Sequence, residues 1–428
     1  MEPQKFHAAF DFGSGPAEQG YTKVSSKDLF SEEAGFGFVP LEGIEIQDAN
    51  QDGSALLRDF CYSRLSGVPL QFDVRVPHNG TYHVKLTFFN PEKSSTLTVL
   101  SESRRFMLTD QHLPAGEVLT CEFTANVCDF HMNGDDYTKK DRLNIAILGT
   151  SPQINALEIT EVDVPTIYMA GDSTVTDQKA EYPYHPSSTY CGWGQMLGQF
   201  LHQGIAVSNH AQSGSTTQDF KECNWNVVKE RLKPGDFLFV EFGHNDQKIE
   251  ALDAFGGYAE NLRFFVREAR ALGAVPVLCT SINRILFQED GTLMNLLGDY
   301  GEAVRQVGRE LDVPVIDLLQ RTTEFFETVG PVDSWNYFWG DGKNRDYTHT
   351  NDIGGNVIAR FAAQEIIKNK IHPVCDLIKA DQISVPIPPR SEAAHNTSKD
   401  LNPISNVGLV NLPKQTSLQD IDKDISDL

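Results

Sequence analysis

The chain is poor in positive charge. It contains 36 lysine and arginine residues against 59 aspartate and glutamate residues, for a formal net charge of −23 at pH 7 and an isoelectric point near 4.9. A protein that binds nucleic acid needs a basic surface, so this composition argues against DNA or RNA as a partner. It does not exclude an acidic carbohydrate, because salt screens most charge repulsion beyond about 8 Å.

Cysteine is scarce and follows no pairing pattern. The seven cysteines are an odd number without compact spacing, and nothing in the sequence has the ligand spacing of a zinc site. We therefore expect no metal and no cofactor. Cys121 and Cys128 would pair only if the fold brings them together.

The sequence also lacks a long hydrophobic run. No apolar stretch is long enough to span a bilayer, and the opening Met-Glu-Pro-Gln-Lys-Phe-His lacks the charged-then-apolar pattern of a secretory signal. We expect no membrane partner and a cytoplasmic location, or secretion if a signal segment has been removed. Internal repeats are absent, and nothing in the sequence indicates an oligomeric state. With 428 residues, two globular units and a tail are expected.

One serine lies where a hydrolase would place its nucleophile. Residues 166–171 form a short apolar run that predicts a buried parallel strand, and Asp172 and Ser173 follow it directly. In open α/β sheets, sites form beyond the carboxyl ends of the strands, so the Ser173 hydroxyl would project into a crevice. The alternative is that Ser173 is a helix N-cap, a position that serine favours.

Two later segments could supply hydrogen-bond donors to the same crevice. A predicted strand, 205–209, leads into a loop of small residues, in which the backbone amide of Gly214 is a candidate donor. Another apolar strand, 236–243, ends beside Asn245, whose carboxamide is a further candidate. With the amide of Ser173, they would form an oxyanion hole, in which each donor typically lowers the barrier by about 3 kcal/mol.

A candidate general base comes later in the chain. Asp346 and His349 are three residues apart, a spacing that lets both side chains share one face of a turn, so that Asp346 can orient His349. A histidine with an ordinary pKa of about 6.5 can take the Ser173 proton near neutrality and return it to the leaving alcohol. The alternative is that this segment only caps the amphipathic helix predicted over residues 352–367.

Other residues near these motifs allow two interpretations. His210 and His244 are expected to be buried or supporting residues rather than catalytic ones. Four cations near the predicted loops could meet a uronate carboxylate or could be ordinary surface charges: Lys248, Arg284, Lys343 and Arg345. The aromatic residues between 322 and 340 could line a sugar-binding cleft or pack as core.

Together the motifs resemble a known family. Four sequence blocks are similar to the ordered blocks of the SGNH (GDSL-type) hydrolases. They lie at residues 171–173, 209–214, 243–246 and 346–351. Within that superfamily, the sequences of the blocks are most similar to those of the rhamnogalacturonan acetylesterases. The resemblance covers about residues 164–370. One difference is Ser215, a position at which the acetylesterase group often has arginine.

This resemblance implies a fold and a set of roles. The fold would be a flavodoxin-like parallel sheet with helices on both faces. Ser173 would be the nucleophile, His349 the base and Asp346 its partner. The oxyanion donors would be Ser173, Gly214 and Asn245.

The N-terminal part has a different pattern. Short alternating runs separated by Gly, Pro, Asn and Asp predict an antiparallel β-sandwich, and the runs 70–76 and 82–88 are predicted to form a hairpin. The openings Phe10-Asp-Phe-Gly and Gly20-Tyr-Thr-Lys resemble galactose-binding-like, malectin-type domains. Such a domain either binds sugar or has a structural role beside the cleft.

The predicted organisation is therefore α/β with a preceding all-β domain. Residues 1–163 form the β-sandwich, residues 164–372 form the hydrolase domain, and residues 373–428 form a Pro-, Ser- and Asp-rich tail expected to be poorly ordered.

The resemblance implies a metal-independent serine esterase that removes O-acetyl groups from a plant cell-wall polysaccharide or its oligosaccharides, with rhamnogalacturonan as the leading substrate. Two alternatives are an esterase or lipase for other acyl esters, such as acetylxylan or small esters, and a non-catalytic carbohydrate-binding protein on the same scaffold.

Overall fold

The computed structural model describes residues 5–41, 44–50, 55–102, 104–131, 137–138 and 140–388. An all-β half comes first and an α/β half follows it, as the sequence predicts. In the described part of the all-β half, the strands in chain order are β1 (His7–Phe12), β2 (Thr22–Val24), β3 (Phe36–Phe38), β4 (Ile46–Asn50), β5 (Asp59–Ser63), β6 (Leu70–Arg75), β7 (Gly80–Phe89), β8 (Ser95–Ser101), β9 (Arg105–Leu113), β10 (Val118–Val127), β11 (Phe130–His131), β12 (Tyr137–Thr138), β13 (Arg142–Gly149), β14 (Gln153–Ile154) and β15 (Ala156–Val162).

The strands of this half form two larger sheets packed face to face. One sheet has the order β10-β7-β15-β1-β2 and the other has the order β3-β6-β13-β8-β9, while β14-β5-β4 form a smaller sheet. Successive side chains of a strand point to opposite faces of its sheet, so an apolar residue at every second position gives each sheet one apolar face to pack against the other. On β7 every second side chain is fully buried, and these residues are Tyr82, Val84, Leu86 and Phe88. They share one apolar core with Phe72 and Ile145 of the other sheet.

The hairpin predicted from runs 70–76 and 82–88 is wrong. Both runs are strands, but β6 pairs with β3 and β13, whereas β7 pairs with β10 and β15. The intervening turn therefore carries the chain from one sheet to the other. Both arrangements bury the same apolar faces in one core, so the alternation of residues does not reveal which strand is the partner.

The α/β half is built on a parallel sheet. Its strands are β16 (Thr166–Gly171), β17 (Ala206–Asn209), β18 (Phe237–Glu241), β19 (Val275–Cys279) and β20 (Val315–Ile316). Their order is β17-β16-β18-β19-β20, which is the flavodoxin-like order. The helices are α1 (Thr217–Glu222), α2 (Asn224–Arg231), α3 (Ala259–Ala271), α4 (Gly298–Leu311), α5 (Leu318–Val329) and α6 (Asp352–Lys368), and a hairpin of β21 (Phe338–Gly340) and β22 (Arg345–Thr350) precedes α6.

Helices cover both faces of this sheet. Successive side chains of β16 point to opposite faces, so that Ile167 and Met169 join one apolar cluster, which includes residues of α5 and α6. Tyr168 and Ala170 join the other, which includes residues of α1, α2, α3 and α4. The strand is buried on both sides, which explains why its sequence is a continuous apolar run rather than an alternating one.

The two halves are joined closely. Only residues 163–165 separate β15 from β16. Phe106 and Leu148 of the all-β half belong to the same apolar cluster as Met196 and Phe200 of the α/β half. The connection is therefore short and the boundary between the halves is part of a continuous core.

Packing continues beyond α6. Val374, Ile378 and Ile383 are buried in the cluster that covers one face of the parallel sheet, so ordered packing extends past residue 373, where the composition places the start of the tail. Residues 389–428 of the predicted tail lie outside the described residues. All seven cysteines are free thiols, so Cys121 and Cys128 are not paired. Among the described helices, none is long and apolar enough to cross a membrane.

Candidate active site

Ser173 lies in the turn that follows the central strand β16. Gly171 ends the strand where a Cβ atom would come within 2.6 Å of the Val175 side chain, so a larger residue would not fit. The buried carboxylate of Asp172 accepts hydrogen bonds from the amide and the hydroxyl of Thr174, at 2.9 and 2.8 Å. In the described chain no helix begins at Ser173, and the N-cap alternative is therefore wrong.

The structure brings Ser173, His349 and Asp346 into one chain of hydrogen bonds. Ser173 Oγ lies 2.7 Å from His349 Nε2, although 176 residues separate the two in sequence. His349 Nδ1 lies 2.7 Å from Asp346 Oδ2. The other carboxylate oxygen of Asp346 accepts the amides of Thr348 and His349, at 2.7 and 3.0 Å. Asp346 is thus held in place while it contacts the imidazole.

The electrostatics of this pair favour a charged imidazole beside a charged carboxylate. Burial favours the neutral form of His349, but the adjacent Asp346 carboxylate outweighs it, and the pKa of His349 is raised above 6.5. Burial opposes ionisation of Asp346 as well, yet His349 and the backbone amides lower the pKa of Asp346 below 3.8. Asp346 is therefore ionised at neutral pH.

The helix α6 is capped by a different residue. The Asn351 side chain accepts a hydrogen bond from the Gly354 amide at 3.0 Å, the usual N-cap interaction. The alternative in which the base segment serves only as a cap does not describe Asp346 and His349, whose side chains bond to each other.

The predicted oxyanion donors lie at the ends of adjacent strands. Gly214 follows β17 with a φ of +79°, a backbone conformation that favours glycine. The Asn245 carboxamide donates to the carbonyl oxygen of Ser215 at 3.1 Å, which ties the two loops together. Among the hydrogen bonds of the described residues, the amides of Ser173 and Gly214 have no protein acceptor. They could therefore donate to a ligand, and their oxyanion role stays a prediction.

A buried acid lies directly beneath the nucleophile turn. The Thr174 hydroxyl lies 2.8 Å from Asp172 Oδ1 and 3.0 Å from Glu241 Oε1. A hydroxyl has a single hydrogen to donate, so one of these carboxyl groups must donate instead. Burial, reinforced by the charge of Asp172, raises the pKa of Glu241 to about 8. Burial raises the pKa of Asp172 as well, but the amide and the hydroxyl of Thr174 favour its charged form. We therefore infer that Glu241 is the neutral partner, which donates to Thr174 and accepts the indole N–H of Trp193.

This arrangement predicts how substitutions of Glu241 behave. Glutamine reproduces a protonated glutamate, so Glu241→Gln should fold about as stably as the wild type near pH 4.5 and more stably than the wild type at neutral pH. Glu241→Ala leaves the Trp193 N–H without an acceptor and should lower the free energy of unfolding by about 1–3 kcal/mol. The wild-type stability should also fall as the pH rises from 4.5 towards 8, because the folded state keeps a proton that the unfolded state releases.

Urea unfolding of the three proteins at about pH 5 and about pH 8 checks these expectations. The contribution of Glu241 to the pH dependence should disappear in the glutamine variant. A glutamine variant as unstable as the alanine variant would contradict a neutral Glu241.

Two aromatic rings stand beside the imidazole. The Tyr190 ring stacks on Trp339 with centroids 4.7 Å apart, and its edge meets the His349 ring at 5.7 Å. Trp339 belongs to the predicted aromatic stretch, whereas Phe326 and Phe338 of the same stretch are buried core. The core interpretation is therefore confirmed for Phe326 and Phe338, and a sugar-binding role of Trp339 stays a prediction. Tyr190 has no motif signal in the sequence and was not anticipated.

Of the other residues singled out from the sequence, His210, His244 and Arg284 are buried around the site, whereas Lys343 and Arg345 lie on the surface. His210 is buried, with Nε2 2.9 Å from Ser208 Oγ. His244 is buried, and burial holds its pKa well below 6.5. Arg284 is 1% exposed and donates to Thr348, so it cannot meet a substrate carboxylate as surface cations could. Lys343 and Arg345 are exposed.

Potential metal ligands come together elsewhere in the described chain. His372, Cys375 and Asp376 have ligand atoms within 4.8 Å of one another. These three residues follow α6 within five positions of the chain, so they do not have the ligand spacing of a zinc motif. They hydrogen-bond to each other, with His372 Nδ1 2.9 Å from Asp376 Oδ2, and they are not part of the Ser173 chain.

An arginine of the all-β half is inserted behind this site. Arg104 forms a two-pronged ion pair with Asp352, the first residue of α6, at 2.9 and 3.0 Å. It also donates to the carbonyl oxygens of Gln178 and Tyr190, at 2.8 and 2.6 Å. Gln178 in turn donates to the carbonyl oxygen of Ser173 at 2.9 Å. One buried side chain thus contacts segments on the nucleophile side and on the base side of the site.

Comparison with known proteins identifies the class of this fold and site. Residues 169–357 match the GDSL-like lipase/acylhydrolase family, and residues 8–102 match the β-agarase/YxiM esterase-like, galactose-binding domain-like family. The rhamnogalacturonan acetylesterase RhgT of Bacillus subtilis (strain 168) is 37% identical over 211 residues, which are 47% of this chain and 88% of that relative. The chain belongs to the GDSL-like (SGNH) hydrolases, a family of carboxylic ester hydrolases, and carries an N-terminal galactose-binding-like domain.

One relative matches along both halves. The uncharacterized esterase YxiM of Bacillus subtilis (strain 168) is 28% identical over 375 residues, which cover 86% of this chain and 92% of that relative. The crystal structure of Bacillus subtilis YxiM covers 86% of this chain and 99% of its own, with 26% identity and a TM-score of 0.46.

Proposed function

We propose that this protein is a carbohydrate O-acetylesterase that uses Ser173 as nucleophile, His349 as general base and Asp346 as the partner of His349. The observation that carries the proposal is the continuous hydrogen-bonded chain from Ser173 Oγ through both nitrogens of His349 to Asp346. Nucleophile, base and orienting carboxylate are the three parts that activate a serine for acyl transfer.

The chemistry follows from this arrangement. His349 Nε2 takes the proton of Ser173 as Oγ attacks the acetyl carbonyl carbon, and Asp346 stabilises the imidazolium that forms. The amides of Ser173 and Gly214 and the carboxamide of Asn245 would hold the developing oxyanion. The imidazolium then protonates the sugar oxygen as its bond to the acetyl carbon breaks, so the sugar leaves as an alcohol and Ser173 remains acetylated. Water, deprotonated by His349, attacks the acetyl-serine and releases acetate.

Two observations support a carbohydrate as the leaving group. RhgT, a relative at 37% identity, is a rhamnogalacturonan acetylesterase. The Tyr190 and Trp339 rings beside His349 provide an aromatic wall, an apolar surface of the kind that lines ligand sites. We therefore propose acetylated rhamnogalacturonan, or its oligosaccharides, as the substrate.

The raised pKa of His349 sets a pH dependence. The base must be neutral to accept a proton, so kcat/KM for a small acetate ester should rise with pH through a midpoint above 6.5. Asp346→Asn removes the charge that raises this pKa, so the midpoint should move to lower pH, while kcat falls about 10²- to 10⁴-fold. A pH–rate profile of both proteins checks this. An unchanged midpoint would contradict the role of Asp346.

Acetate release identifies the substrate. The protein is incubated with acetylated rhamnogalacturonan oligosaccharides, with acetylated xylan and with a set of simple esters of increasing acyl length. Release from the pectic substrate supports the proposal. Release from xylan alone would keep the mechanism and change the polymer. Cleavage of long acyl esters without acetate release from either carbohydrate would overturn the acetylesterase function.

A further inference from the structure

A cleft of about 590 Å³ lies between the two halves of the protein. Its walls come from both, with Phe130 and Lys140 on the all-β side and Gln178, Tyr182 and Tyr190 on the hydrolase side. This volume is within the range of about 300–1,000 Å³ typical of small-molecule sites, which combine aromatic walls with a few polar groups. The cleft is therefore large enough for a short ligand segment.

One end of the cleft adjoins the proposed catalytic residues. Gln178 lines the cleft and donates to the Ser173 carbonyl oxygen at 2.9 Å. Tyr190 lines it as well, and its ring edge contacts the His349 ring. A ligand that extends from Ser173 towards the all-β half would therefore enter this cleft.

Cations concentrate in the cleft although the chain as a whole carries a charge of −23. Among the described residues, the charged side chains that line the cleft are Arg104, Arg105, Lys140 and Lys179 against Glu102 and Asp177. Arg104 is neutralised by Asp352 outside the lining, and Arg105 by Asp177 at 2.8 Å. The charge that remains for a ligand therefore comes from the two lysines.

The environment of the lysines favours an incoming anion. Lys140 Nζ lies 2.9 Å from Asn144 Oδ1 but 3.7 Å from Glu102 Oε2, beyond hydrogen-bond distance. Burial raises the pKa of Glu102, which weakens its charge as a partner of Lys140. Lys179 is exposed to solvent. Both ammonium groups thus have donor capacity for a carboxylate.

The cleft also contains an unused amide donor. Gln212 lines the cleft, and its Nε2 atom is buried without a hydrogen-bond partner among the described residues. A buried donor left unsatisfied costs about 1–3 kcal/mol. A ligand hydroxyl or ring oxygen at this position would satisfy it.

We propose that this cleft binds an acidic saccharide unit of the substrate, with the uronate carboxylate at Lys140 and Lys179 and a hydroxyl at Gln212. The inference rests on the proposed function, because the unit bound here belongs to the same chain as the acetylated sugar at Ser173. The galactose-binding-like half then takes part in recognition through its face towards the hydrolase, and the enzyme selects acidic over neutral carbohydrate chains.

Binding to a catalytically silent protein tests the cleft. Calorimetry on the Ser173→Ala protein uses an unacetylated oligosaccharide that contains galacturonate, and the same oligosaccharide after reduction of its carboxyl groups. In the Ser173→Ala background, the two substitutions Lys140→Gln and Lys179→Gln should weaken binding of the acidic oligosaccharide about tenfold or more. They should leave binding of the reduced oligosaccharide unchanged. The matched control, Lys93→Gln with Lys229→Gln, removes two exposed charges that do not line the cleft.

The outcomes separate this inference from the proposed function. Equal binding by the cleft variant and the control variant, or equal binding of the reduced oligosaccharide by the parent protein, would overturn the acidic subsite. With Ser173 restored, the control variant should cleave a small acetate ester at the wild-type rate, since it leaves both the cleft and the Ser173 chain intact. If the wild type releases no acetate from any carbohydrate, the proposed function fails, and charge-dependent binding would still support the cleft.

Discussion

Replacing Ser173 with alanine is expected to lower kcat for acetate release by at least about 10⁴-fold, and by up to about 10⁶-fold, because no acyl-enzyme can form without the hydroxyl. What activity remains would come from binding and from the oxyanion donors. The Ser173 hydroxyl bonds to His349 at the end of the catalytic chain, so its loss should change the free energy of unfolding by about 1 kcal/mol or less. Steady-state kinetics on a small acetate ester and urea unfolding measure the two effects.

The control is Ser94→Ala, which removes the same atom from an exposed serine of the all-β half. It should have the kinetics of the wild type. Activity of the Ser173→Ala protein within about tenfold of the wild type would exclude Ser173 as the nucleophile of an acyl-enzyme mechanism.

Replacing Arg104 with alanine is expected to lower the free energy of unfolding by about 3–5 kcal/mol, because Asp352 would remain buried without its partner. The two side chains are 4% and 5% exposed, so solvent does little to compensate. Burial already raises the pKa of Asp352 to about 6, and loss of Arg104 should raise it further. The variant should therefore lose more stability as the pH rises through this range.

The same substitution should lower kcat, since Arg104 holds the carbonyl oxygens of Gln178 and Tyr190 beside the catalytic chain. Urea midpoints and small-ester kinetics of Arg104→Ala are compared with those of Arg75→Ala. Arg75 is paired with Glu32 in solvent, so Arg75→Ala should lower the free energy of unfolding by less than about 1 kcal/mol. Replacing Arg104 and Asp352 together with apolar residues should recover part of the loss. Equal effects of Arg104→Ala and Arg75→Ala would contradict this role.

The sequence was sufficient to place the Ser173 and Asn245 motifs together because each one follows a strand of the parallel sheet, whereas Asp346 and His349 lie in the hairpin before α6. The run 166–171 and the run 236–243 both end in glycine followed by polar residues, and parallel strands end at the same edge. The expectation that Ser173 and His349 meet depends on this topology together with the family resemblance. The structure adds the distances that turn the motif order into a hydrogen-bonded chain.

What the sequence did not reveal depends on contacts between distant segments. Arg104 and Asp352 are 248 residues apart, and neither lies in a pattern that indicates a buried ion pair. The partners of β6 and β7 were missed for a related reason, since alternation indicates the buried face of a strand but not its neighbour. The protonation of Glu241 is inferred from two structural facts, the position of the Thr174 hydroxyl between two carboxyl groups and the burial that raises the pKa of Glu241.

The short connection between β15 and β16 has a consequence for how the enzyme works. Hinge closure requires a few residues that can absorb a large backbone rotation, and residues 163–165 lie between two strands whose halves share a core. The cleft should therefore be preformed. Because all molecules are then in the binding-competent state, an equilibrium between open and closed forms does not reduce the affinity for the ligand. A protein cut at residue 163 would expose the apolar surface around Met196 and Phe200, so the catalytic half should aggregate when it is produced alone.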